Sequence, residues 1–202
     1  MNLTRRAAVT GALAVPAALS LPGLALAKPA PAFAVKDVDG KVRSLAEFKG
    51  RVVVLEWVNE GCPYVKKHYS GNMQGLQVSA TRDGAVWLTV CSSAPGQQGH
   101  WATGGEAKAW MTAKNWAGTA MLIDPDGKMG KAYGAKTTPH MYVIDKTGTL
   151  VYQGGIDDVP TNKVEDIKRA NNLVAAALAD VNAGRPVKVA FSQPYGCAVK
   201  YA

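Results

Sequence analysis

From residue 51 the chain reads RVVVLEWV, and Val52 to Leu55 are apolar without a break and mostly β-branched. A run of that kind predicts a strand buried on both faces of a parallel sheet, not one that alternates against solvent. Upstream, FAVKDVDGKVRSL alternates on either side of Asp39-Gly40, which predicts a hairpin, and Lys28 to Ala32 form a proline-containing leader before it. Downstream the chain turns at Asn59-Glu60-Gly61, and Pro63 opens a helix at the position where its missing N–H costs nothing. Ser70-Gly71-Asn72 interrupts that helix, and Asn72 caps a second piece that runs to Arg82. AVWLTV is the next strand, followed by the loop SSAPGQQG. GGEAKAWMTAKNW then places Ala107, Trp110 and Met111 on one side of an amphipathic helix.

TAMLIDPDG reads as a strand with a turn and KMGKAYGA as a short helix. Two strands, 141–145 and 149–153, flank a Lys146-Thr147-Gly148 turn. Val164, Ile167, Ala170, Leu173, Val174, Ala177, Leu178 and Val181 predict one helix, which Gly184 and Pro186 end. Residues 187–202 remain as a tail. Strand, helix, strand, helix, hairpin and helix make an α/β pattern with one central sheet.

The first 27 residues stand apart. MNLTRR carries Arg5 and Arg6 and no acid, an apolar stretch of small residues follows, and Ala25-Leu26-Ala27 is an A-x-A cleavage signal. This is the pattern of a secretory signal peptide, and the twin arginines suggest the Tat route. Pro16, Pro22 and Gly23 interrupt the apolar run, which favours cleavage over a membrane anchor. The expected mature protein is therefore a single exported, periplasmic domain spanning 28–202, with no membrane association of its own. The formal charge of +8, two units of it from Arg5 and Arg6, is spread over scattered lysines, so nucleic acid is not an expected partner.

Cysteine usage narrows the chemistry. Three cysteines, Cys62, Cys91 and Cys197, are too few for a disulfide scaffold, and an odd number in an oxidising compartment leaves a thiol free or paired between chains. No haem-attachment, zinc-protease or phosphate-loop motif occurs, so neither a metal nor an organic cofactor is expected. His68 lies about 240° around the helix from Cys62, and with His140 it makes no zinc-ligand set. Trp101, Trp110 and Trp116 read as packing residues.

Cys62 sits where the buried strand gives way to a helix. The N-terminal end of that helix stabilises a thiolate by about 0.3–1 kcal/mol, and Lys66, one turn on, is placed to add positive charge. Gly61 and the turn before it point to an exposed sulfur, reactive through a thiol pKa below its free value of about 8.5. Position 65, where a second cysteine would complete Cys-x-x-Cys, is Val65. Glu56 interrupts the apolar strand. Facing inward, it would have a raised pKa and serve as general acid or base; facing outward, it would be a surface carboxylate, and the local pattern leaves both open. Cys91 ends the WLTV strand, where it fits a packed core thiol better than a rival redox partner. Cys197 lies between Gly196 and Ala198 in a tail with Pro194, which reads as loose enough to swing.

VVVLEWVNEGCPYV, together with TTPHMYVIDKTGTLVYQG, resembles the thioredoxin superfamily, and within it the redoxin branch of peroxiredoxin-like (alkyl hydroperoxide reductase/thiol-specific antioxidant) proteins. The resemblance spans most of residues 33–182. It implies a thioredoxin-like fold, a central mixed sheet flanked by helices, with an N-terminal hairpin and a C-terminal tail extension. It also implies a cis-proline step at Thr138-Pro139 whose backbone holds a substrate strand beside Cys62, and a buried acid at Glu56 that moves protons. Cys197 is then the resolving thiol, acting within one chain or across a dimer. An external thiol reductant, thioredoxin-like or a small thiol, completes the cycle.

Two departures matter. Val65 removes the dithiol, and the places of the peroxidase proline and hydroxyl hold Leu55 and Asn59, although Asn59 offers a donor to a peroxide oxygen. The expected function is peroxiredoxin-like reduction of hydroperoxides by Cys62. The alternatives are protein thiol–disulfide exchange and, in another class, a non-catalytic binding module that grips a partner with the SSAPGQQG and SGNMQG loops.

Overall fold

The computed structural model describes residues 28–202, and the signal-peptide reading concerns residues outside that range. The apolar run at 52–55 becomes β4 (Val53–Trp57), every residue of which is buried. It owes that burial to neighbours on both sides and layers on both faces. β4 pairs in parallel with β5 (Val86–Cys91) and antiparallel with β8 (His140–Ile144). β5 continues in parallel to β6 (Ala120–Ile123), and β8 continues antiparallel to β9 (Thr149–Gly154). With β1 (Lys28–Pro29) on the far edge, the sheet order is β1-β9-β8-β4-β5-β6. The leader is thus an edge strand, with Lys28 opposite Leu150. The predicted hairpin forms as β2 (Ala34–Lys36) and β3 (Val42–Ser44), with Gly40 at a positive φ of 79° in its turn.

Strand alternation sorts β4 into two cores. Val54, with Val58 just beyond the strand, packs with Val65, Tyr69, Met73 and Trp87, beneath α1 (Pro63–His68) and α2 (Asn72–Arg82). Val53, Leu55 and Trp57 face the other way, against Phe33, Phe48, Tyr133 and Tyr142. The helices α3 (Gly104–Ala113) and α4 (Lys128–Tyr133) follow β5 and β6. α3 ends at Ala113 and does not reach Trp116: Asn115 adopts φ 50°, and the Trp116 amide turns back to the Met111 carbonyl at 2.9 Å.

The predicted helix over 164–181 is two elements. Val164–Arg169 is a 3₁₀ segment with no buried residue, and α5 is Leu173–Asn182. Val164, Ile167 and Ala170 repeat every three residues, the 3₁₀ period, whereas the α spacing begins at Leu173. Asn171 bonds the Asp158 carboxylate through its amide at 2.8 Å and its side chain at 2.6 Å. The Asn172 side chain caps α5 by accepting from the Ala175 amide at 2.9 Å.

The tail is held down along its length, not loose. Gln153 and the tail exchange backbone bonds, Gln153 N to Ala190 O at 3.0 Å and Ser192 N to Gln153 O at 3.1 Å. Further on, β10 (Cys197–Ala198) pairs antiparallel with β7 (Thr137–Thr138), setting Cys197 opposite Thr138. The Ala94 amide donates to the Lys200 carbonyl at 2.8 Å. Such pairing leaves few backbone groups to compete for water.

Candidate active site

Cys62 is the residue immediately before α1, and Pro63 occupies the first helical position as its fixed φ favours. The thiol is fully buried. This corrects the expectation of an exposed sulfur: Gly61 does shape the turn, but the tail comes back across the end of the sheet and covers what it would expose. The Thr138-Pro139 bond is cis, and the Cys62 thiol donates to the Thr138 carbonyl at 3.0 Å. Opposite Thr138 stands Cys197, whose thiol is close enough to the Cys62 sulfur for each to shift the other's pKa. All three cysteines are free thiols here.

This contact separates the two thiols electrostatically. Burial pushes the Cys62 thiol up, but donors outweigh it: the Cys197 thiol, the Thr138 hydroxyl and the amides of Val65 and Cys197 together bring it below its ordinary value. Cys197 moves the opposite way, to about 11, through burial and through donating to Cys62. The opposed shifts favour a thiolate at Cys62 and a protonated thiol at Cys197. Such an assignment belongs to the pair, since each sulfur sets the other's proton.

Lys66 adds nothing visible to this arrangement. Its side chain is exposed, and among the described residues it makes no hydrogen bond to Cys62, although its amide bonds the Cys62 carbonyl at 3.0 Å. Asn59 is buried and its amide is engaged at both ends, accepting from the Gly61 amide at 2.9 Å and donating to the Gln98 carbonyl at 2.9 Å. It ties the turn before Cys62 to the 92–99 loop. Cys91 is buried, bonds the Gly99 carbonyl at 3.2 Å, and is pushed up by burial above all. It is a core thiol.

Glu56 faces inward on the same side of β4 as Val54 and is fully buried. Four donors surround it: Tyr69 at 2.7 Å, Trp87 at 2.8 Å, Thr89 at 3.0 Å and Gln77 at 3.2 Å. Burial raises its carboxyl pKa, and those four bonds restrain the rise. Among the described residues it makes no hydrogen bond to Cys62. His140 is also buried, and burial holds it neutral with its pKa lowered to about 3.

Sequence reasoning missed a second polar group, made of buried Lys67, His68 and Asp157 with the half-buried Tyr195. Lys67 and His68 are both buried. The signal was there for His68: Val65 and Tyr69 at i, i+4 define the inner face of α1, and His68 lies one turn from Val65 on that face. Nothing local marks Asp157 or Tyr195. Among the described residues no three histidine, cysteine or acidic side chains gather as a metal site. No helix there is long and apolar enough to cross a membrane.

A thioredoxin-like fold presenting a cysteine at the head of its first long βα unit, beside a cis-proline step, defines a thiol-based redox protein. The chain belongs to the AhpC/TSA family, whose model matches residues 26–153. Among solved structures, an uncharacterized conserved protein from Geobacillus kaustophilus is 27% identical with a TM-score of 0.71, covering 88% of this chain and 92% of the other. A hypothetical protein from Sinorhizobium meliloti 1021 is 24% identical with a TM-score of 0.71, covering 88% of this chain and 94% of its own. A thiol:disulfide interchange protein from Bacteroides sp. shares the fold at 19% identity and a TM-score of 0.52, covering 65% of this chain and 82% of that one. No curated protein matches the chain.

Proposed function

We propose that the protein is an exported thiol–disulfide oxidoreductase in which Cys62 is the nucleophile and Cys197 its partner thiol. The observation that carries this reading is the pairing of β10 with β7, which holds Cys197 opposite Thr138, the residue whose carbonyl accepts from the Cys62 thiol. The Cys62 thiolate attacks one sulfur of a substrate disulfide, forming a mixed disulfide and releasing the other sulfur as a thiolate. That step removes the charge on Cys62 and with it one cause of the raised Cys197 pKa. Cys197 then loses its proton and attacks the Cys62 sulfur, releasing the second substrate thiolate and closing a Cys62–Cys197 disulfide. An external thiol donor, thioredoxin-like or small, reduces it again.

In this scheme Thr138 and Pro139 receive the substrate strand along β7, where main-chain pairing supplies affinity. β10 lifts for the substrate to enter. Glu56 relays a proton through its buried network, Lys66 lends positive charge once the tail has lifted, and the leader before residue 28 directs export.

Membership of the AhpC/TSA family favours a second reading, reduction of a hydroperoxide. The Cys62 thiolate would take one oxygen to become a sulfenic acid, releasing an alcohol or water. The Cys197 thiol would then condense with it to the same disulfide, losing water. Against that route, the Asn59 amide that would donate to a peroxide oxygen is engaged with Gln98 and Gly61.

Insulin-disulfide reduction beside stopped-flow tryptophan fluorescence with hydrogen peroxide separates the two. The first reading expects reductase activity abolished by Cys62→Ser and only slow peroxide oxidation. Rapid peroxide oxidation without reductase activity establishes the second. Activity independent of Cys62 overturns both and leaves a binding module.

A further inference from the structure

The Tyr195-Gly196-Cys197 segment behaves as a single device. Tyr195 is two residues before Cys197, and its hydroxyl donates to the Asp157 carboxylate. The His68 Nε2 lies 3.0 Å from the same hydroxyl, and the Asn72 side-chain amide lies 2.8 Å from His68 Nδ1. An amide nitrogen can only donate and the tyrosine proton is spent on Asp157, so the protons are fixed. Asn72 donates to His68 Nδ1, and His68 donates through Nε2 to the Tyr195 oxygen. This requires a neutral imidazole, in keeping with a His68 pKa that burial lowers to about 4.

The ammonium of Lys67 closes the group. It lies 3.5 Å from the free Asp157 oxygen and 5.5 Å from the centre of the Tyr195 ring, and it donates to the Val159 carbonyl at 3.0 Å. Tyr64 packs edge-on against that ring at 5.8 Å. Lys67, His68 and Asp157 are each buried to 97% or more. A buried lysine–aspartate pair is weak evidence of stabilisation, so a positional role is the better account of why charges are kept there.

Gly196 explains the next step. Its φ of 133° is open to glycine, and a Cβ there would collide with the Thr138 carbonyl. That carbonyl is the one that accepts from Cys62. The backbone therefore passes directly against the acceptor of the nucleophile, and the following residue delivers its thiol.

We infer that Tyr195 is a positioning residue for the Cys62–Cys197 reaction: locked by Asp157, His68 and Lys67, it anchors the tail so that Gly196 can pass Thr138 and Cys197 reach Cys62. This rests on the reading of Cys62 and Cys197 as the redox couple and adds what sets its equilibrium. The anchor raises the effective concentration of one thiol at the other, and thereby stabilises the closed disulfide.

The test equilibrates the full chain with glutathione redox buffers and quantifies the Cys62–Cys197 disulfide by alkylation and mass spectrometry. Tyr195→Phe keeps the ring contacts and removes the bonded hydroxyl. It should lower the equilibrium constant for closure about tenfold, a rise in potential of about 30 mV. Gly196→Ala leaves the buried cluster untouched and should lower closure at least as much, which keeps the test decisive if Tyr195→Phe folds poorly. Asp157→Asn combined with Tyr195→Phe should give less than the sum of the two single effects, because they share one bond. An unchanged potential in folded Tyr195→Phe, with wild type closing normally, overturns the anchor while leaving the couple intact, and so does an unchanged potential in Gly196→Ala. A wild-type chain that closes no Cys62–Cys197 disulfide in any buffer overturns the couple and the anchor together.

Discussion

Replacing Glu56 by glutamine tests whether this carboxyl is held protonated by its surroundings. In the folded chain burial raises its pKa above the ordinary 4.5, so the folded state binds this proton more tightly than the unfolded state. The stability tied to the group is complete below the unfolded value and is lost as pH rises through the folded one. One proton sets the limiting slope, about 1.4 kcal/mol per pH unit. A glutamine side chain has no such proton, so the variant's stability lacks this slope. Geometry sets the offset. With its oxygen at the place of Oε2, the substituted amide keeps the bonds from Trp87, Thr89 and Gln77, but its NH₂ then faces the Tyr69 hydroxyl, which has donated to Oε1. The Tyr69 proton loses its acceptor, at a cost of about 1–3 kcal/mol. Glu56→Gln should therefore be less stable than wild type near pH 4, and the gap should close as pH rises. Urea denaturation across a pH series measures this, and the difference between the two proteins cancels Asp124, a second carboxyl raised by burial. Parallel stability curves would mean that Glu56 ionises in the ordinary range, and its proposed proton relay would go with that result.

Removing the Cys197 thiol by Cys197→Ala should lower the thiolate fraction of Cys62 at neutral pH about tenfold, through loss of one bond to a charged sulfur; ultraviolet thiolate absorbance during a pH titration reads this directly. Cys91→Ala should leave disulfide-exchange activity unchanged within about twofold and cost under about 1.5 kcal/mol of stability in urea, since that thiol is a packed core group. Asn172→Ala should cost about 1 kcal/mol by removing the cap of α5, and an unchanged unfolding midpoint would show that the Asp157–Asn172 strand bridge, not the cap, fixes that helix start.

The central strand and its cysteine were legible because their signals are local. Four apolar residues in a row at 52–55 and a proline directly after Cys62 each carry their own meaning, whereas the cis step at Thr138-Pro139 came only with the family resemblance, and the structure places them together. Glu56 was visible as an anomaly but not as a direction, because the strand is apolar on both faces and alternation gives no phase. The 164–181 region misled because a three-residue apolar repeat continues into an α-helical one, and only residues 170–172, with Ala170 and Asn172 extended, separate them. The tail was illegible for a different reason. It has no periodicity, and what pins it, Asp157 and the Lys67-His68 pair, lies 38 and 127 residues or more away in the chain. With the tail unplaced, the burial of Cys62 was unforeseeable as well.

Whether Cys62 and Cys197 form one redox couple is decided by mapping disulfides in the full chain after it has turned over a disulfide substrate and been trapped with alkylating reagent. The structure predicts a tryptic species that joins the Cys62 and Cys197 peptides, with Cys91 recovered as a thiol. Recovery of Cys62 joined to Cys91, or of Cys62 and Cys197 both unpaired after turnover, would contradict it.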